Sequence, residues 1–325
     1  MITRTFQEES DLTIRSSNRT ISTRLAPCGL LATALLTAVF CTSGCAVSNQ
    51  ALRADFTDFN NIIQYNQSQQ MLLNLVRLHY REPPMFLQAG SLLASYSSAI
   101  GGDTSIGFDD SYGLGLDYEF ASKPTITYTP IEGKAYVTQF MTEVSFDTLC
   151  LLVRAGWPVT KLCDLIVEKI ALDPANPLRN ESNSPSFAQF TATVEMLQKA
   201  QADGKLSVVS RDGALEILAG TELIHADAFQ LRSLSDIMFV ASKNTETPIE
   251  HAGRTKATKP NGAITIRTSK SMPKEAVVWV QHGGHYFSID NTDIASKDTL
   301  ALLMQLFRIQ AAPAAGTPLL SIPVR

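Results

Sequence analysis

The chain has 325 residues, with 27 Lys and Arg against 31 Asp and Glu, a formal charge of −4, and 45% hydrophobic residues. That length suffices for one large domain or two small ones. No stripe of Lys or Arg runs along it, so the electrostatic footprint of a nucleic-acid binder is missing.

From Leu25 to Cys41, 17 residues carry no charge and are dominated by Leu and Ala. A membrane-spanning helix needs about 20 apolar residues, so the run is short for a permanent span and fits the hydrophobic region of a signal peptide. Arg4, Arg15, Arg19 and Arg24 precede it, diluted by Glu8, Glu9 and Asp11. Four basic and three acidic residues give this leader a net +1, which leaves −5 on residues 45–325. The run closes in Thr42-Ser43-Gly44-Cys45-Ala46. This resembles the lipobox of bacterial lipoproteins, with Thr42 where that family usually has Leu. The resemblance implies that Cys45 accepts a diacylglyceryl group and becomes the mature N-terminus. Ala46 in place of Asp resembles the pattern of outer-membrane sorting. The alternatives are a secretory signal cut after Ala46 and an uncleaved anchor, and all three place the rest of the chain outside the cytoplasm. The expected organisation is a signal peptide over 1–44, a lipidated tether over 45–57, and a single α+β domain over 58–325 with a soft boundary at 243–262.

Of the five cysteines, only Cys150 and Cys163 then remain in the domain. Two do not make a disulfide framework. One bridge is compatible with an oxidising compartment, but two buried, inert thiols are the expectation, since free Cys behaves as a small hydrophobe.

In chain order, a helix is expected from Asp55 or Asp58 to Tyr80. Met71, Leu72, Leu75, Val76 and His79 share one face of a 3.6-residue period, and Pro83-Pro84 ends the helix. Its Asn60, Asn61, Gln64, Asn66, Gln67, Gln69 and Gln70 read as a solvated face, or alternatively as a polar interaction surface. Ser91–Ile100, Thr104–Phe108, Tyr112–Phe120 and Thr125–Thr129 read as four strands separated by turn residues. In Tyr112–Phe120, apolar Tyr112, Leu114, Leu116, Tyr118 and Phe120 alternate with Gly113, Gly115, Asp117 and Glu119. Such alternation fits a half-buried antiparallel strand, and it also resembles lipid-facing barrel strands of roughly 10 residues. Helices are expected at Ser145–Ala155 and Thr160–Ala171, joined by Gly156-Trp157-Pro158. Another runs from Ser184 or Ser186 to Ala202, stopped by Gly204.

A hairpin follows over Lys205–Ser210 and Ala214–Ala219, then a helix from Asp227 or Ser233 to Ser242. Polar Lys243–Gly262 reads as a loop. Ala263–Thr268 reads as a strand, and Ala276–His282 with His285–Asp290 as a hairpin around Gly283-Gly284. The last helix spans Asp293 to Gln310, with Leu300, Leu303, Met304 and Phe307 in one stripe. Leu319–Val324 adds a candidate strand. The fold class is therefore α+β, helices packed on antiparallel sheet with several hairpins.

Three constellations bear on chemistry. A two-residue turn at Gly283-Gly284 sets His282 opposite His285, a candidate weak metal pair, with Val280 opposite Phe287 and Val278 opposite Ile289. A competent zinc site needs three or four ligands, and Asp290 falls on the other face in that register. Arg77 and Arg81, four apart on one helical face, are candidate contacts for a carboxylate or phosphate; the plainer role is as cations near a helix C-terminus. Asp290-Asn291-Thr292-Asp293 reads as a turn and N-cap. No nucleophile elbow, P-loop, dinucleotide fingerprint or H-E-x-x-H motif is present, so no cofactor is implied and no motif argues for catalysis.

The segments QQMLLNLVRLHYREPPMFL, KPTITYTPIEG and DIASKDTLALLMQLF resemble an uncharacterised group of proteobacterial envelope proteins, which has no known activity to lend. The leading expectation is a membrane-anchored envelope lipoprotein, a non-catalytic interaction or assembly module. Its partners would be membrane lipid, through the acylated N-terminus, and an envelope protein. The alternative is a periplasmic hydrolase or metal-dependent enzyme using His282 and His285. A third reading is a subunit of an oligomeric outer-membrane pore through residues 91–130.

Overall fold

Met71, Leu72, Leu75 and Val76 are buried along one face of the first helix, α1 (residues 59–79), in the computed structural model. Burying each such side chain contributes about 2 kcal/mol. The structure describes residues 57, 59–106, 112–211, 214–255 and 263–310. The expected signal peptide, Cys45 and the strand expected at 319–324 lie outside the described residues. The architecture is α+β, with helices and several small antiparallel sheets. The described residues fall into two compact units, one holding Leu93–Thr125 and the other holding those up to Leu92 and from Ile126 onward.

In the first unit lie the distal parts of β1 (Leu87–Ile106) and β2 (Tyr112–Pro130), strands of 20 and 19 residues that form a two-stranded sheet. Five residues join them, a span too short for a parallel crossover, so the pair is a hairpin. Four short strands were expected here. Gly101-Gly102-Asp103 and Ser122-Lys123-Pro124 do not interrupt pairing, because both strands of a two-stranded sheet are edge strands. An edge strand tolerates a proline, whose missing N–H can face outward.

In the second unit, the amides of α1 hold the chain leading into β1. Gln70 Nε2 donates to the Leu87 carbonyl (3.2 Å) while the Leu87 N–H donates to Gln70 Oε1 (2.9 Å). Fully buried Asn74 repeats the exchange with Met85, at 2.7 and 2.9 Å. Each amide satisfies a peptide as a neighbouring strand would. The amide-rich face is thus exposed at Asn60, Asn61, Gln64 and Asn66 but structural at Gln69 and Gln70, Gln69 donating to the Trp279 carbonyl. After β2 come a short helix α2 (Gly133–Tyr136) and a π-helical turn, Val137–Met141, which places Phe140 on Phe86 with ring centroids 4.3 Å apart.

Ser145 caps α3 (Phe146–Arg154) by accepting from the Thr148 N–H, and Gly156 at φ +88° lets the chain turn toward α4 (Val159–Ile166). The helix expected to continue to Ala171 stops at Ile166, where β3 (Val167–Ile170) begins. The last carbonyls of α4 are taken elsewhere. Buried Arg232 donates to the Asp164 and Leu165 carbonyls, and Asn180 Nδ2 donates to those of Cys163 and Asp164. A cation at a helix C-terminus is favoured by the dipole as well. Val167 and Ile170 are then free to pair with Leu231 and Phe229 of β8 (Phe229–Leu231), in a sheet completed by β4 (Leu178–Arg179). Cys150 and Cys163 are buried free thiols, pushed up to about 11 and about 12 by burial.

Helix α5 (Phe187–Ala202) leads into a second sheet of β5 (Leu206–Arg211), β6 (Ala214–Ala219) and β7 (Glu222–Ile224). A Ser233–Asp236 capping box starts α6 (Leu234–Ser242). The third sheet has the order β10–β11–β9, formed by β9 (Arg267–Ser269), β10 (Ala276–His282) and β11 (His285–Asp290). Of the strand expected at Ala263–Thr268, only Arg267 onward pairs with β11, although Ile264 and Ile266 are fully buried. Asp293 caps α7 (Ile294–Gln310) by accepting from the Ser296 N–H, and Leu302, Leu303 and Leu306 of α7 are fully buried.

Candidate functional site

Four of the five histidines converge where the end of α1 meets the β10–β11 turn. The end of α1 sets this up. The Glu82 N–H donates to the Arg77 carbonyl (2.8 Å) and the Arg81 N–H to that of Leu78 (3.1 Å), with Arg81 at φ +63°. This is a Schellman ending with Arg in the left-handed position that Gly usually fills. It projects His79, Tyr80 and Glu82 from one helix terminus. Pro83 and Pro84 follow, so the helix ends before the prolines act on it.

Gly283 (φ +56°) and Gly284 (φ +82°) supply the two left-handed residues of a type I′ turn. The hairpin register places His282 opposite His285, Val280 opposite Phe287 and Val278 opposite Ile289, as the sequence predicts. The third contributor is the 3₁₀ turn Ile249–His251, inside the segment read as a polar loop. Its His251 is only 4% exposed.

The contacts interlock. The Tyr80 hydroxyl lies 2.6 Å from His251 Nδ1. A Cβ built on Gly283 would sit 2.8 Å from His251 Cε1, so the imidazole rests directly on the turn. His251 packs edge-on to His285 (4.9 Å between centroids), and Tyr80 packs against His282 (5.1 Å) and Phe287 (6.0 Å). His282 Nε2 is 3.3 Å from Glu82 Oε1. His285 Nε2 is 3.5 Å from Glu250 Oε2 and buried without a hydrogen-bond partner. Lys270 Nζ closes the chain of charges on Glu250 at 2.5 Å. His79 Nε2 meets the Thr247 hydroxyl at 2.8 Å.

Burial, then Arg254 and His285, holds His251 below the usual imidazole range; burial likewise lowers His79 and raises Tyr80. The hydrogen bond from Lys270 brings Glu250 down to about 2. The result is a neutral His–Tyr pair inside a ring of exposed charge. It can hold a proton-dependent contact between three elements.

Of the residues picked from sequence, His282 and His285 are cross-strand partners that each approach a different carboxylate. Among the described residues, no group of three or more His, Cys, Asp or Glu is arranged to hold a metal ion. Arg77 and Arg81 are not brought onto one helical face. Arg77 donates to Asn74 Oδ1 (3.3 Å), while Arg81 lies beyond the helix end with its guanidinium 5.1 Å above the Phe239 ring. Asp290 accepts from Thr292 and Asp293 from Ser296, the turn and cap expected of them. Tyr80, Glu250 and His251 were not anticipated. An apolar cavity of ≈ 10 Å³ lined by Leu149, Val153, Leu162, Cys163 and Phe229, among others, has room for about one water-sized sphere.

No protein-family model, curated protein or solved structure matches the chain.

Proposed function

We propose that the chain is a lipid-anchored lipoprotein of the cell envelope, held through Cys45 to the outer membrane on its periplasmic side, and that it acts as a non-catalytic assembly module. The anchor is supported by the charge-free run Leu25–Cys41 and the lipobox-like Ser43-Gly44-Cys45 that closes it. The observation that carries the assembly role is the β1–β2 sheet. Its two strands, of 20 and 19 residues, have no third strand in their sheet among the described residues. A lone two-stranded sheet is marginal in water, and an unpaired edge is a template for another chain. The candidate site supports the same reading, because Tyr80, His251 and Glu250 are engaged in joining elements of the fold.

The test is amine crosslinking of the full chain in native membranes, beside a variant in which 93–125 is replaced by an Asn-Gly turn. Higher-mass crosslinks in wild type that vanish in the variant support the assembly role. Wild type that stays monomeric in its own membrane contradicts it.

A further inference from the structure

We infer that the β1–β2 hairpin is one stave of a transmembrane β-barrel built from several copies of this chain, an inference that rests on the envelope reading above. The first argument is positional parity. Within the two strands all four charged residues, Asp103, Asp117, Glu119 and Lys123, stand at odd positions. All five aromatic residues, Tyr96, Tyr112, Tyr118, Phe120 and Tyr128, stand at even ones. Successive residues of a strand belong to opposite faces, so each strand divides into a face free of charge and a face that carries every charge. A hairpin packed on a soluble core tolerates occasional charges at the rim of its buried face. A lipid-facing strand tolerates them poorly, at about 2–4 kcal/mol for a Lys or Arg at the bilayer midplane.

The second argument is length. At about 3.3 Å per residue, 20 residues reach about 65 Å. A tilted membrane strand needs about 9–11 residues, so each strand crosses the bilayer with a similar length left over at its root. Every backbone polar group in the hydrocarbon must also be paired within protein, which forbids an open two-stranded sheet there. Its edges are therefore closed by like hairpins. The smallest such barrels have about 8 strands. With two per chain, the ring needs at least about four copies. In the barrel the charge-bearing face of each strand lines the lumen, so Asp103, Asp117 and Glu119 against Lys123 bring it a net −2 per copy. The pore therefore prefers cations.

The experiment uses the full lipidated chain in isolated outer membranes. Single cysteines at 113, 115 and 117, and at 114, 116 and 118, are treated with a water-soluble maleimide; native Cys150 and Cys163 are buried, giving low background. Wild-type protein is also incorporated into planar bilayers. Labelling at odd positions at least tenfold above even ones, with cation-selective conductance that reverses in the Asp117→Lys/Glu119→Lys variant, supports the barrel. Uniform labelling without conductance overturns it; if wild-type crosslinks persist in those membranes, the assembly role stands and only the barrel falls. Uniform labelling of a monomeric, unacylated chain overturns both readings.

Discussion

The Tyr80 hydroxyl and His251 Nδ1 share a hydrogen bond of 2.6 Å, joining the end of α1 to a segment 171 residues away. His251 in turn packs against the β10–β11 turn at Gly283. Tyr80→Phe keeps the ring contacts with His282 and Phe287 and removes only the hydroxyl, leaving a buried imidazole nitrogen unpaired. The expected loss is about 1–2 kcal/mol, read as a lower denaturant midpoint at unchanged slope. An unchanged midpoint would show that the hydrogen bond contributes nothing.

Burial of two histidines at this site sets a pH dependence. His251 and His79 are both held below their ordinary value of 6.5, mainly by burial. Their unfolded forms therefore bind protons at a higher pH than their folded forms. Stability from these residues is full above about 6.5 and falls as the pH drops from there to their native values. The thermal midpoint is expected to decline between pH 7 and 5.5. Glu250, held at about 2, adds a loss only below its ordinary 4.5. A midpoint that is flat or rises on acidification from pH 7 would reverse the sign given to the histidines.

Gly283 and Gly284 separate strain from crowding. Both have positive φ, but only at Gly283 would a Cβ meet another group, His251 Cε1 at 2.8 Å. Gly284→Ala is expected to cost about 1 kcal/mol from conformation alone. Gly283→Ala adds the clash and is expected to cost about 2–3 kcal/mol. The excess should vanish when His251 is also Ala. Equal costs at the two glycines in the native background would mean that the imidazole yields freely.

Arg81 occupies a left-handed position while its guanidinium covers Phe239. Arg81→Gly relieves about 1 kcal/mol of strain and loses a cation–π contact of similar size, so little net change is expected. Arg81→Ala keeps the strain and loses the contact, and should fall about 1 kcal/mol below the Gly variant by chemical denaturation. If Ala proved the more stable of the two, the cap assignment would be wrong.

These elements also show what a one-dimensional reading captures. The β10–β11 register was legible because Gly-Gly stands between two alternating runs, and α7 because an Asp caps it and a leucine stripe follows. The long strands were not, because Gly101-Gly102 and Pro124 read as breakers unless one knows that both strands are edges. The end of α4 at Ile166 depends on Arg232 and Asn180, which reach the carbonyls of Leu165 and Cys163 from 67 and 17 residues further on. His282 and His285 were visible as a pair. Tyr80 and His251 were not, since neither lies in a local pattern that points to the other; the segment around His251 looks polar and loop-like until it is packed beneath a glycine turn.

Anchoring and assembly both depend on the lipid at Cys45, and the most direct measurement is the intact mass of the mature protein from the membrane fraction, with Cys45→Ala beside it. The expected result is a wild-type chain beginning at Cys45 and carrying acyl mass, and a variant released from the membrane. A mature chain without acyl mass would contradict the anchor and leave a diffusible periplasmic domain.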